Sequence, residues 1–350
     1  MSTDQIAPGT DPGTIIVCSG RCGSTLVSDL LAEHSAMVPL LEFFGSQYQA
    51  GMVQEVLSGE QFWQLVTEPW LSMNTVVRLG RVPKEVRYDL SRHETPPELS
   101  GLLGFTLPAI SEDPDKLMEE LAGLVTQFPT QQLGAHYRRL FTLLAQYVGK
   151  PRWVEKSAAS GLYVSELLEM FPGVRIVYLT RDIVDVALSM TNHSMFLMAD
   201  LSVSFQQRCG FDPFVKGSRP PGAQVPPDLE HLLPENLTPS VLDYRAGSEA
   251  SMMNLIALQA MMARQTDDAL RDLPDDRVIR IAYEELLQDP EGELARLGSF
   301  LAIDDSQDWA KRSADRVAKP RPRSDKVDEA GRARYQSFYN NIYQSAPMLG

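Results

Sequence analysis

The stretch TIIVCSGRCGSTLVSDLLAEH, residues 14–34, decides how the rest of the chain is read. It opens on an apolar, β-branched run from Thr14 to Ser19, the composition of a buried strand. Gly20 and Gly23 then let the backbone curl tightly, and Ser24 to Glu33 reads as a helix. Strand, glycine turn and helix form the layout of a phosphate-binding loop. In such a loop the N–H groups of Cys22 to Thr25 converge at the helix start, where the helix dipole favours an anion. The hydroxyls of Ser24 and Thr25 and the charge of Arg21 add to that attraction. The stretch departs from the GxxxxGK[ST] loop of nucleotide triphosphatases, because Gly23 stands where a lysine would precede Ser24. No side chain at that position can bridge a β/γ-phosphate pair. A plain glycine turn with Ser24 as N-cap produces the same local sequence, so the loop is decided by the company it keeps further along the chain.

Composition narrows the partners. The chain of 350 residues is 43% hydrophobic, enough to bury a sizeable core, and its formal net charge is −14. That acidity argues against nucleic acid or an anionic membrane as the main partner, and any basic cluster needs a local explanation. The three cysteines, Cys18, Cys22 and Cys209, form no CxxC pair and point to a reducing, cytoplasmic setting without a disulfide framework or zinc site. Met1 to Gly13 is polar and reads as a flexible lead-in, not a signal peptide. No apolar run is long enough for a membrane span.

Three more strand-to-helix units are readable. RWVEKSAAS, residues 152–160, leads into a helix through Phe171. VRIVYLTRDIVDVALSM predicts a strand over Arg175–Thr180 and a helix from about Ile183. A fourth strand is expected at Arg277–Tyr283, before the helix PEGELARLGSFL. Strands alternating with helices predict an α/β fold, a single domain whose central parallel sheet is flanked by helices. Gln47 to Leu71 reads as an amphipathic helix, and Leu117–Phe128 and Tyr137–Val148 as two more. Thr75–Pro108 has no clear period, with a Pro-Pro pair and glycines breaking it. Residues 201–244 are Pro-rich and read as a surface insertion or lid without strands. Ser251–Leu270 is a methionine-rich helix, read as adaptable core packing rather than a substrate-facing surface.

SGRCGSTL, EKS, RIVYLTRDIVDVALS and RVIRIAYEELLQDPEGELARLGSFL, in that order and spacing, resemble the sulfotransferases that use 3′-phosphoadenosine 5′-phosphosulfate (PAPS). The resemblance implies a nucleotide-kinase-like, P-loop-like fold over residues 14–350, with PAPS as co-substrate and no metal. It implies that Arg21, Cys22, Gly23, Ser24 and Thr25 hold the 5′-phosphosulfate, and that Arg181 and Ser189 hold the 3′-phosphate. Tyr283, in YEEL, matches the family tyrosine near the adenine. KPRPRS resembles the basic segment that closes over the 3′-phosphate, within a C-terminal segment spanning residues 317–350. The contact there is Arg321 or Arg323, and the sequence does not choose between them. By itself, Arg181 with Asp185 also reads as a simple ion pair at a helix start.

The resemblance also implies the chemistry. Lys156, directly after a strand, is assigned to stabilising charge on the transferring group, although a Lys156–Glu155 pair is an alternative. Glu42, in VPLLEFFGS, resembles the glutamate base of bacterial carbohydrate sulfotransferases and of tyrosylprotein sulfotransferases. His193, shortly after Ser189, is the other candidate base. The acceptor pocket falls to Phe43–Phe105 and Leu201–Tyr244, where Phe62, Trp63, Trp70, Phe205 and Phe214, with Phe196 just before the second stretch, lean toward a small, partly apolar molecule, a lipid or a carrier-bound acyl chain. Two other classes stay open on sequence: an NTP-dependent small-molecule kinase on the same scaffold, and a non-catalytic nucleotide-binding interaction protein.

Overall fold

The computed structural model describes residues 13–345 apart from 51, 53, 54, 96 and 318–326. Seven strands are formed among the described residues: β1 (Thr14–Cys18), β2 (Met37–Leu41), β3 (Val56–Leu57), β4 (Gln131–Gln132), β5 (Arg152–Lys156), β6 (Arg175–Thr180) and β7 (Val278–Ala282). Five of them make one sheet in the order β2-β5-β1-β6-β7, and every pairing in it is parallel. The short β3 and β4 pair antiparallel elsewhere.

The period-2 alternation of β1 explains why helices cover both faces. Ile15 and Val17 enter one apolar cluster with Phe43, Phe44, Phe141 and Trp153. Ile16 and Cys18 enter the other, with Leu30, Val177, Leu297 and Trp309. A strand buried on both sides has no polar face to show, so TIIVC reads as a continuous apolar run.

Four of the sheet strands match the sequence reading. β2 is the addition. Its sequence, MVPLL, is short and carries Pro39, which argues against a central strand. The sheet accommodates Pro39 because β2 is an edge strand, paired only with β5. This addition matters for the site, since β2 delivers Glu42.

Two other segments are corrected. Gln47–Leu71 is not one helix but the end of Phe43–Ala50, the strand β3 and the helix Gly59–Thr67, before the helix Leu71–Arg78. Residues 201–244 contain no strand, as read, but they begin inside the helix Ser194–Cys209. Phe205, Phe211, Phe214, Leu229 and Leu242 join Leu41, Val76 and Phe105 in a buried cluster.

Candidate active site

Parallel α/β sheets bind ligands beyond the carboxyl ends of their strands, where connections leave in opposite directions. Here that crevice lies past β1, with β5 on one side and β6 on the other. The loop after β1 is tightly curled: Gly20, Arg21 and Gly23 all take left-handed backbone angles, with φ of 83°, 57° and 90°. At the two glycines a side chain would be strained and would collide with a neighbouring ring. A Cβ on Gly23 would lie 2.4 Å from the Tyr283 ring, and one on Gly20 would lie 2.3 Å from the Phe196 ring. The helix Ser24–Ala32 starts directly behind the loop.

The residues proposed for the donor side converge at this loop. Arg21 Nε donates to Ser189 Oγ at 3.2 Å, and Arg181 Nη1 donates to the Arg21 carbonyl at 3.1 Å. The Arg181 guanidinium also lies over the Tyr283 ring, 4.7 Å from its centroid. Cys22 and Ser24, within the loop and at the helix start, are buried. The Arg181–Asp185 pair of the alternative reading exists at 3.4 Å, but Arg181 makes these other contacts as well, and its Nε is buried without a partner. An orphaned guanidinium N–H beside an anion loop fits a phosphate-bearing ligand. Arg321 and Arg323 lie outside the described residues. Arg332, which the sequence reading passed over, reaches Asp182 at 2.8 Å from the helix Glu329–Ser345.

The second group sits on the neighbouring strands. Lys156 ends β5 and Glu42 comes directly after β2, and the Glu42 N–H donates to the Lys156 carbonyl at 2.7 Å. Glu42 takes a left-handed φ of 50°, a strained choice for a glutamate that turns the chain out of the sheet. The two side chains then meet: Lys156 Nζ is 2.5 Å from Glu42 Oε1, and the Ala158 N–H donates to Oε2 at 2.8 Å. Lys156 Nζ also lies 3.3 Å from Thr25 Oγ1, which links this pair to the loop.

The alternative partner, Glu155, is engaged elsewhere: it is fully buried, burial pushes its carboxyl up to about 8, and its Oε1 accepts the Ser157 hydroxyl at 2.5 Å, while Lys156 is held by Glu42. Burial alone would favour a neutral Lys156 amine, but the charge and hydrogen bond of Glu42 outweigh it and hold the ammonium above the ordinary lysine value.

Lys156, Glu42, Arg21, Ser24 and Thr25 line one cavity of about 550 Å³. Beyond these residues its walls are mainly apolar, with Trp70, Met73, Phe105, Phe196, Leu258 and Met261 among them. Of the aromatics assigned to the acceptor side from sequence, Trp70 and Phe196 line this cavity, whereas Phe62, Phe205 and Phe214 are fully buried core. The methionine-rich helix divides: Met252 and Met262 are buried core, and Met261 lines the cavity. A separate groove of about 610 Å³ near Glu55 and Lys216 contains none of the site residues.

Of the five histidines, only His193 lines the cavity. It does so beside Glu85, a residue in the stretch with no readable period. Glu85 Oε2 is 3.0 Å from His193 Nε2, and Oε1 is 2.6 Å from Arg21 Nη1. Burial would raise this carboxyl, but the hydrogen bond and charge of His193 and the charge of Arg21 pull it far below the usual carboxylate range.

Among the described residues no helix is long and apolar enough to cross a membrane. No curated protein matches the chain. Several solved structures are similar over most of its length. Sulfotransferase STF9 from Mycobacterium avium is 14% identical, with a TM-score of 0.48 over 98% of this chain and 78% of that one. Sulfotransferase STF1 from Mycobacterium tuberculosis H37Rv is 13% identical, with a TM-score of 0.46 over 97% and 78%. The sulfotransferase domain from the curacin biosynthetic pathway is 16% identical, with a TM-score of 0.45 over 97% and 98%. The sulfotransferase-domain family model matches residues 162–338, a stretch that contains Arg181, Ser189, His193 and Tyr283. Arg21, Glu42 and Lys156 precede that stretch, and Arg21 is tied to it through the Arg21–Ser189 and Arg181–Arg21 hydrogen bonds. With half of its length matched by that model, on an α/β domain with a parallel central sheet, the chain belongs to the sulfotransferase family.

Proposed function

We propose that this sulfotransferase moves the sulfuryl group of PAPS to a hydroxyl of a small, partly apolar acceptor. The observation that carries the reading is the buried Lys156–Glu42 pair, which opens onto an apolar cavity shared with the anion loop. PAPS carries roughly three to four negative charges, counting its 3′-phosphate as about −1.5 to −2. Arg21, Lys156 and Arg181, with Arg321 or Arg323 from the tail, offset them without a metal. The loop N–H groups, Ser24 and Thr25 hold the 5′-phosphosulfate, Arg181 and Ser189 hold the 3′-phosphate, and Tyr283 stands by the adenine.

In the transfer step a bond forms between the acceptor oxygen and sulfur, while the bond from sulfur to the 5′-phosphate oxygen breaks. Charge spreads over the sulfuryl oxygens and grows on the leaving phosphate. Lys156 is positioned to meet that charge. Glu42 takes the acceptor proton; the Ala158 N–H and the Lys156 ammonium fix its two oxygens. His193 is the second reading for the base, because it lines the same cavity with a carboxylate on one ring nitrogen. The apolar walls favour a lipid, another apolar alcohol or a carrier-bound acyl chain over a polyanionic glycan. The reading includes a cytoplasmic setting, supported by three cysteines that all remain free thiols.

The donor assignment has a direct test. Arg181→Ala should weaken 3′,5′-ADP binding about ten- to hundredfold, the worth of a charge-assisted contact. Binding of 5′-AMP, which lacks the 3′-phosphate, should change little. Titration of both nucleotides into both proteins decides it, and equal losses would remove Arg181 from the 3′-phosphate.

A further inference from the structure

Among the described residues, Glu85 is the one carboxylate in the cavity wall whose side chain bonds to a side chain of the anion loop. It comes from a turn far from its partners in sequence, and each of its oxygens holds a different one. Oε1 takes Arg21 Nη1 at 2.6 Å, and Oε2 meets His193 Nε2 at 3.0 Å. Arg21 Nε is meanwhile bonded to Ser189 Oγ at 3.2 Å. A planar guanidinium fixed at two of its nitrogens cannot turn, so its orientation is set. Among the described residues Arg21 Nη2 has no protein hydrogen bond, which leaves that edge for an anion.

An ionised carboxylate is an odd neighbour for a site that takes a polyanion. It competes for Arg21 and repels the donor, so it cannot be there to strengthen donor binding. We infer that Glu85 is a positioning residue for sulfuryl transfer: it weakens ground-state donor binding while aligning Arg21 for the transfer step. The inference rests on the proposed donor role of Arg21. It assigns to Glu85 a signature that mere structural support does not share. Loss of a supporting residue weakens binding and turnover together, whereas loss of Glu85 should drive them in opposite directions.

The test uses the full-length protein with 3′,5′-ADP as the binding probe. Glu85→Gln keeps the size and hydrogen-bonding groups but removes the charge. It should tighten 3′,5′-ADP about three- to tenfold, the scale of one partly screened charge. In an Arg21→Ala background the same substitution should change affinity much less, because the partner through which it acts is gone. With PAPS and 1-decanol as the assay pair, Glu85→Gln should turn over about ten- to hundredfold more slowly, the scale of a misplaced reacting group, and Glu85→Asp should recover part of the loss. Unchanged or weaker 3′,5′-ADP binding in Glu85→Gln, or an equal change in both backgrounds, overturns the inference. Failure of the wild-type protein to bind 3′,5′-ADP sinks the donor reading and this inference with it. Normal wild-type binding with no Glu85 effect sinks this inference alone.

Discussion

Glu42→Gln lowers turnover by about 10²–10⁴-fold, the usual cost of losing a general base. Glutamine keeps the shape and can still accept the Ala158 N–H, but it cannot take the acceptor proton. The substitution has a second effect. Lys156 is 2% exposed and Glu42 is its counter-ion at 2.5 Å, so Glu42→Gln leaves an unpaired buried ammonium. Breaking a buried pair from one side costs about 3–5 kcal/mol of stability. The melting temperature should therefore fall along with activity, and activity alone cannot assign the role. The double variant Glu42→Gln/Lys156→Met separates the two effects: it should recover much of the lost stability and none of the turnover. Binding of 3′,5′-ADP to Glu42→Gln, measured below its melting temperature, should persist, since Glu42 contacts no nucleotide group in the proposed arrangement. If Glu42→Gln keeps most of its activity while His193→Ala loses it, the base is His193.

Lys156→Met is the companion experiment. Removing one preorganised charge from the transferring group should cost about 10²–10³ in turnover. Steady-state turnover of the variant checks this, and a loss under about tenfold would remove Lys156 from that role.

Legibility in the sequence tracked how local each feature is. The anion loop was legible because its parts are contiguous: Gly20 and Gly23 curl it, and Ser24 opens the helix behind it. Lys156 and Arg181 stood out because one ends and the other follows an apolar strand, whereas Ser189, inside the helix Ile183–Met190, was reached only through the family resemblance. β2 was harder, since Pro39 contradicts the pattern of a strand and only its edge position excuses it. Glu85 could not be found this way. Its segment has neither helix nor strand period, and its partners lie 64 and 108 residues away. The acceptor side failed in a more instructive manner. Phe62 and Phe205 look like Trp70 and Phe196 in sequence, yet Phe62 stacks on His136 in the core, while Phe196 lies against Gly20 and lines the cavity. Which aromatic faces a cavity is settled by how distant elements pack, and no local period encodes that.

The loop after β1 is assigned to a 3′-phosphorylated adenosine donor and not to a nucleoside triphosphate. Calorimetric titration of the wild-type protein with 3′,5′-ADP and with ATP, each with EDTA and then with magnesium, tests that assignment most directly. The expected result is saturable 3′,5′-ADP binding that EDTA leaves unchanged, with ATP weaker by about tenfold or more for want of the 3′-phosphate contact. Tight, magnesium-dependent ATP binding, with no heat from 3′,5′-ADP, would contradict it.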